Sequence, residues 1–207
     1  MARYISTTFG NIKGKHGTAV SQVRNGKVIL RVYNPPANPN TPKQLAQRLK
    51  FGLVASSLNP LRSVINFGYG SNDGYNAASS IALRKAIKGE YPEFTLDYSQ
   101  VMVASGTLPL AFNITLVAQD DANVHLTWDT TIWTKGSDKD LVHVAFLNPL
   151  TGITYFAEGR TTRETGALTL QLPLLWKGET IHAWLFLTST DNEQRSVSQY
   201  LGTVVPL

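Results

Sequence analysis

The sequence predicts an α+β fold, in which an N-terminal β-hairpin and helices are followed by an antiparallel immunoglobulin-like β-sandwich. Three observations support this prediction. Asn25-Gly26 separates two alternating segments, apolar residues recur at helical spacing between residues 41 and 88, and short β-type segments fill the chain from residue 91 onward. With 207 residues, 43% of them hydrophobic, the chain is long enough to bury a substantial core.

The hairpin is predicted over residues 18–33. Asn-Gly between alternating segments favours a two-residue type I′ turn, because both central residues of that turn need a positive φ. Before the hairpin, glycines at positions 10, 14 and 17 punctuate a basic stretch. No strand-to-helix context and no Gly-Lys-Ser/Thr follow, as a phosphate-binding loop would require. We therefore interpret residues 1–17 as an extended arm.

A connector and two or three helices are predicted next. Three prolines in residues 34–40 exclude helix and interior strand and favour a stiff connector. Thr41 and Pro42 have the residue types of an N-cap and a first helical position. Shorter helices are expected at about residues 61–67 and 75–88, where apolar or small residues fall at helical spacing.

Eight strands are predicted in the remainder of the chain, separated by turns rich in Gly, Asn, Asp and Pro. Short strands at this spacing, with no helical pattern between them, are typical of an antiparallel sandwich. The predicted strands span residues 95–104, 112–119, 123–128, 141–147, 153–158, 167–172, 180–188 and 199–205.

Charge divides the chain into two parts. Residues 1–92 contain thirteen Lys and Arg against two acidic residues, a net charge of +11, whereas residues 93–207 contain six against twelve, a net charge of −6. We therefore predict a basic module of arm, hairpin and helices over residues 1–92 and an acidic sandwich over residues 93–207. Such a chain can pair with its own copies or bind an anionic surface at one end.

The residues that usually carry chemistry are absent or scattered. The chain has no cysteine, which excludes disulfides, thiolate catalysis and Cys-ligated zinc. Neither Gly-x-Ser-x-Gly nor His-Glu-x-x-His occurs. We predict no catalytic residue, no cofactor and no metal site, and therefore a protein that is not an enzyme.

Histidines and aspartates were the remaining candidates for a metal site. His125, His143 and His182 alternate with apolar neighbours in predicted strands, so we interpret them as outward or interfacial residues. Asp138 and Asp140 share a loop with a glycine, but the spacing lacks the closing Glu of a calcium loop. We interpret these aspartates as solvated turn residues.

Six cations of the basic module are the predicted assembly contacts. The expected partners are copies of this chain or other structural proteins of the same particle. A nucleic acid could also bind the basic half through its phosphates, although no recognised nucleic-acid motif is present. The six residues are Lys13, Lys15, Arg24, Arg31, Arg48 and Lys50.

Aromatic residues of the sandwich support an alternative. Trp133 and Trp176 lie beside predicted turns, where exposed rings could form a platform for a sugar. On this interpretation the chain would be a bacterial surface module that recognises a glycan or a protein through its sandwich loops.

The first residues lack the apolar run of a signal peptide, and no apolar stretch approaches the roughly 20 residues that span a bilayer. We therefore expect synthesis in the cytoplasm and no membrane span. Activity outside the cell would require another route, such as release within a virion or by lysis.

Four segments of the N-terminal half carry recognisable motifs: Gly14-Lys-x-Gly17-Thr-x-Val20, Arg31-Val-x-x-Pro35, Asn38-x-x-Thr41-x-x-Gln44-Leu-Ala-Gln-Arg48-x-Lys-Phe51, and Tyr75-Asn-Ala-Ala78 followed by Ile87-Lys-Gly-x-Tyr91-Pro92. These segments resemble an uncharacterised family of proteins of about this length from Bacteroidota and their phages. The likeness covers about residues 8–107, and the β half matches in general form.

The Asn-Pro-x-Thr-x-x-Gln…Arg-x-x-Phe pattern at residues 38–51 is also similar to segments of phage and prophage structural proteins. The family resemblance implies no activity and no catalytic residue. Together with the charge division, it leads us to predict a non-enzymatic structural or assembly protein, self-assembling or associated with a particle such as a phage virion.

Overall fold

A computed structural model describes residues 2–3 (backbone), 13–24, 26–35, 37–38, 40–132 and 136–207. The chain divides into two compact units, residues 1–41 and 42–207. The elements of the first unit are β1 Ala2–Arg3, β2 Gly14–His16, β3 Ala19–Arg24 and β4 Lys27–Val32. Those of the second are α1 Pro42–Leu58, α2 Arg62–Tyr69, α3 Gly74–Lys85, β5 Ile87–Glu90, β6 Glu93–Leu96, β7 Phe112–Ala118, β8 Asn123–Asp129, β9 Leu141–Asn148, β10 Ile153–Thr162, β11 Ala167–Gln171, β12 Ile181–Thr188 and β13 Gln199–Val204.

The first unit is an antiparallel sheet in the order β1-β4-β3-β2. Arg24 pairs with Lys27, which leaves a two-residue loop, and Gly26 in that loop has a φ of 72°. The predicted Asn-Gly hairpin is therefore confirmed. Within the predicted arm, residues 14–16 form a strand on β3, while residues 4–12 lie outside the described part of the chain.

The helices begin where the sequence predicts. Helix α1 starts at Pro42, and a 3-10 turn at Asn59–Leu61 separates it from α2. Gly70, with a φ of 64°, ends α2 in the left-handed conformation that glycine adopts without steric cost. Helix α3 ends at Lys85 because the next residues enter a short hairpin, in which β5 pairs with β6.

Seven of the eight predicted strands form two antiparallel sheets. One sheet has the order β10-β9-β12-β13 and the other has the order β11-β8-β7. Their facing sides share one apolar cluster, which includes Leu126, Trp128, Phe146 and Leu185. This arrangement of four strands packed on three confirms the predicted immunoglobulin-like sandwich.

The remaining predicted strand, residues 95–104, is a strand at its first two residues alone. Only Glu93–Leu96 pairs, and Asp97 then caps a 3-10 turn by accepting the Ser99 backbone N–H. The rest of the segment runs extended over the larger sheet, where Val103 donates its N–H to Ser198 Oγ at 2.9 Å. Its alternating valines are buried against side chains instead of joining a ladder.

The helices cover the outer face of the larger sheet. Along β9 and β12 the residues alternate between the sandwich core and a second apolar cluster, so that Ala145, Leu147, Trp184 and Phe186 pack with α1, α2 and α3. The boundary predicted between residues 92 and 93 thus differs from the observed one at 41/42. The helices belong to the compact unit of the sandwich because they share its sheet.

Candidate assembly surface

A groove of about 370 Å³ lies between α1 and α3. The small residues Ala78 and Ala82 of α3 are buried between the helices, and the groove runs beside them. One wall is Phe51, which is 53% exposed although apolar. The other lining residues include Val54, Ala55, Tyr75, Ser79, Ser80 and Leu83. The groove is therefore an apolar depression open to solvent.

Two guanidinium groups contact residues of the groove wall. Arg62 lies over the Tyr75 ring, with its Cζ 4.1 Å from the ring centroid. Arg84 Nε donates to the Ser80 carbonyl oxygen at 3.1 Å. Neither arginine forms a salt bridge within the described part of the chain. The groove is thus flanked by positive charge that no carboxylate of these residues neutralises.

The cations predicted as assembly contacts are distributed over both units. Lys13, Lys15, Arg24 and Arg31 are exposed in the first unit, where Lys15 Nζ lies 4.1 Å from the centroid of the Tyr33 ring. On α1, Arg48 is exposed and the half-buried Lys50 places its Nζ 4.8 Å from the Phe94 ring centroid. Their role in assembly stays a prediction.

The sequence interpretation missed the groove and its flanking arginines. Arg62 and Tyr75 are 13 positions apart, on different helices, and only tertiary packing brings them together. A clue was available in α1, where Phe51 lies among residues that a simple amphipathic helix would leave polar.

Two exposed leucines form a second apolar feature, which we call the leucine knob (Leu174 and Leu175). They are 60% and 90% exposed in the connection between β11 and β12. The connection is well fixed, because Trp176 N–H donates to Pro173 O at 2.9 Å and Gly178 N–H donates to Pro206 O at 2.9 Å. The fold itself does not use these two side chains for its core.

Of the two aromatic residues proposed for glycan binding, Trp176 lies within the described residues. Trp176 is 2% exposed and belongs to the sandwich core, so its prediction as a ligand-facing residue is wrong. The alternation of side chains along a strand does not predict the burial of Trp176, because this residue lies in a 3-10 turn that directs its ring inward. Trp133 lies outside the described residues.

His143 is buried beneath α2 in a defined hydrogen-bond network. Its Nδ1 accepts the Gly159 N–H at 3.0 Å, so the ring proton lies on Nε2, which donates to Thr188 Oγ1 at 2.9 Å. The centroid of the His143 ring lies 5.1 Å from that of the stacked Phe186 ring and 5.0 Å from that of Phe67 in α2. Burial, together with the charge of Arg195, lowers the pKa of His143 to about 4.

This histidine should make stability depend on pH. The unfolded side chain binds a proton near pH 6.5 and the folded one near pH 4, so the unfolded state holds more protons between these values. We expect this site to reduce the free energy of unfolding by about 3 kcal/mol as the pH falls through that window. Urea titrations at pH 7 and pH 4 should show a smaller decrease in His143→Gln; an equal decrease in both proteins would contradict the assignment.

Asp140 is not a solvated turn residue. It is 2% exposed and its Oδ2 lies 3.3 Å from an amino nitrogen of Arg163, which is fully buried. The same arginine donates to the carbonyl oxygens of Pro109 and Leu110 at 2.7 and 3.0 Å. The prediction fails because a turn position in sequence does not reveal that the turn closes over a buried cation.

Among the described residues, no three His, Cys, Asp or Glu side chains come together as a metal site would require. In the same residues, no helix has both the length and the apolar character needed to cross a bilayer.

Comparison with known proteins gives a family and a similar domain among solved structures. The fn3 domain of the human collagen alpha-1(XX) chain is similar at 13% identity and a TM-score of 0.33, over 50% of this chain and 89% of that domain. Among curated proteins, none matches. The model of the family of unknown function DUF6266 matches residues 11–202. The predicted membership of an uncharacterised family is thus confirmed, while its source in Bacteroidota and their phages stays a prediction. The chain belongs to DUF6266, a family of unknown function.

Proposed function

We propose that this chain is a non-enzymatic structural protein that assembles with its own copies or with other proteins of one particle, such as a phage virion. The observation that carries the proposal is the surface between α1 and α3, where an open apolar groove is flanked by Arg62 and Arg84. An apolar depression with a charged rim is typical of a protein–protein contact.

The distribution of charge supports self-association. Residues 1–92 have a net charge of +11 and residues 93–207 have a net charge of −6. Lys88 of β5 pairs within its own chain, with its Nζ 2.7 Å from Asp97 Oδ2. The hydrogen bonds that Asp97 accepts from the side chains of Lys88 and Ser99 lower the pKa of its carboxyl group to about 2. Lys43, Lys50, Arg62, Arg84 and Lys85 have no such carboxylate partner in the described chain.

Size-exclusion chromatography with light scattering tests the proposal. We expect an assembly larger than a monomer at low salt that dissociates as salt rises, because screening weakens contacts between opposite charges. The double variant Arg62→Glu/Arg84→Glu should dissociate at lower salt than wild type. Arg160→Glu, a reversal at an exposed position of β10, serves as the control. A monomer at every salt concentration, with no partner recovered, would overturn the proposal.

Whether the chain is a component of a phage particle can be tested from the genes that neighbour its own gene. Capsid, portal and tail genes next to the gene for this chain would support a virion component. Polysaccharide-utilisation genes in that position would favour the glycan-binding alternative instead. The burial of Trp176 removes one of the two aromatic residues on which that alternative depends.

A further inference from the structure

We propose that the leucine knob of one copy inserts into the α1–α3 groove of a second copy. This inference rests on the proposed self-assembly and names the contact that would produce it. Leu175 is 90% exposed, so a molecule does not fill its own groove with this side chain. The contact must therefore join two molecules.

The two surfaces are complementary in chemistry. The groove offers the apolar walls of Phe51, Val54 and Leu83 in a volume of about 370 Å³. This volume lies in the roughly 300–1,000 Å³ range of small-ligand pockets, which is ample for aliphatic side chains. Insertion would remove Leu174, Leu175 and Phe51 from water together, and all three are more than half exposed in the free chain.

The knob is held in one conformation before it binds. In addition to the hydrogen bonds of Trp176 and Gly178, Lys177 N–H donates to Leu174 O at 3.3 Å. The buried Trp176 ring anchors the turn in the sandwich core. A turn that is already ordered loses little conformational entropy on association, which favours its use as a contact.

Charge complementarity selects a second copy as the occupant. The groove is flanked by Arg62 and Arg84, whereas the turn beside the knob carries the exposed Asp120 and Asp121. Asp121 belongs to the same end of the sandwich, because its Oδ1 lies 3.8 Å from Lys177 Nζ. Lys177 offsets the charge of Asp121, whereas Asp120 forms no salt bridge within the described chain, so Asp120 of one molecule can face the arginines of the next.

The contact joins different surfaces of identical chains. Contacts of this head-to-tail type close into rings or continue as open polymers, in contrast to the self-complementary interface of a twofold dimer. We therefore expect a ring or an open polymer here.

Cysteine cross-linking tests the contact directly, since the natural chain contains no cysteine. One chain carries Leu175→Cys, and a second chain of different mass carries Ser80→Cys in the groove wall. After mixing and mild oxidation, we expect a mixed dimer on a non-reducing gel. Leu150→Cys is the matched control for the knob, because Leu150 is another leucine of a sandwich turn and is 79% exposed.

Two substitutions test the energetics of the same contact. Leu175→Arg places a cation against the basic rim, and Ser80→Trp fills the groove from an exposed position on α3. Each should raise the apparent dissociation constant of self-association by about tenfold or more. The controls Leu150→Arg and Ala77→Trp, the latter also at an exposed position of α3, should leave it close to wild type.

The outcomes separate this contact from the general proposal. If the wild-type chain assembles but the specific cross-link does not form and Leu175→Arg has no effect on association, the knob contact is overturned and the proposal of self-assembly stands. A wild-type chain that is monomeric at every salt concentration would overturn both. If Ser80→Trp instead abolishes retention on a short DNA duplex without changing association, the groove binds nucleic acid and the inference is wrong.

Discussion

Arg163→Met should destabilise the second unit by about 3–5 kcal/mol, because it leaves Asp140 as a buried and unpaired charge. Asp140 is 2% exposed, and besides its contact with Arg163 its Oδ2 accepts the Ser137 N–H at 3.0 Å. The substitution also removes the donors to Pro109 O and Leu110 O, which hold the start of β7 to the sandwich. Urea denaturation at pH 7, followed by circular dichroism, measures the effect.

Arg160→Met is the matched control for this prediction. Arg160 is exposed, three positions away in the same strand region, and surface substitutions usually change stability by about 0.5 kcal/mol or less. If Arg163→Met were no more destabilising than Arg160→Met, the buried ion pair would have no part in stability. Asp140→Leu gives an independent test, because it should also be strongly destabilising by leaving the Arg163 guanidinium without its anion.

Trp184→Ala should destabilise the second unit by about 3–5 kcal/mol through the cavity it creates. Trp184 lies on β12, and its side chain is fully buried against the segment after β6. Its Nε1 donates to Val101 O at 3.1 Å. The rings of Tyr98 and Tyr200 pack against the Trp184 ring, with centroids 6.2 and 5.5 Å from its centroid. Loss of this ring therefore leaves a cavity and an unpaired backbone carbonyl.

This substitution also tests whether the helices and the sandwich form one cooperative unit. Trp184 belongs to the core that α1, α2 and α3 share with the larger sheet. Helical and β-sheet signals should thus be lost at the same urea concentration in both wild type and Trp184→Ala. Separate transitions in wild type would contradict a shared core. Leu150→Ala, at a position 79% exposed, should leave the midpoint nearly unchanged.

The local elements of this chain were predictable because each depends on neighbours in sequence. Asn25-Gly26 specifies a two-residue hairpin loop, and Pro42 starts α1 where the N-cap pattern places it. Turn residues also separated the seven strands that form the sandwich. Boundaries differed by a few residues, mainly where α3 gives way to β5.

The candidate site was only partly predictable. The excess of cations on the helices is visible in the sequence, and the structure leaves Arg62 and Arg84 at the surface beside a groove. The groove itself needs α1 and α3 to pack side by side, and no local pattern reports that packing. The same reason explains Trp176, whose burial depends on how one turn folds back on the sandwich.

The sequence by itself determined the hairpin, the helix starts, seven of the eight predicted sandwich strands and the division of charge. Only the tertiary structure decided that the helices cover the outer face of β9 and β12, which buries His143 and places Trp184 in a shared core. The physical reason is that periodicity shows which residues share a face, whereas burial depends on what packs against that face. A strand that is covered on both faces has a nearly continuous run of apolar residues, as β9 and β12 do. The helices that cover these two strands lie far away in the sequence, so the run alone does not identify them.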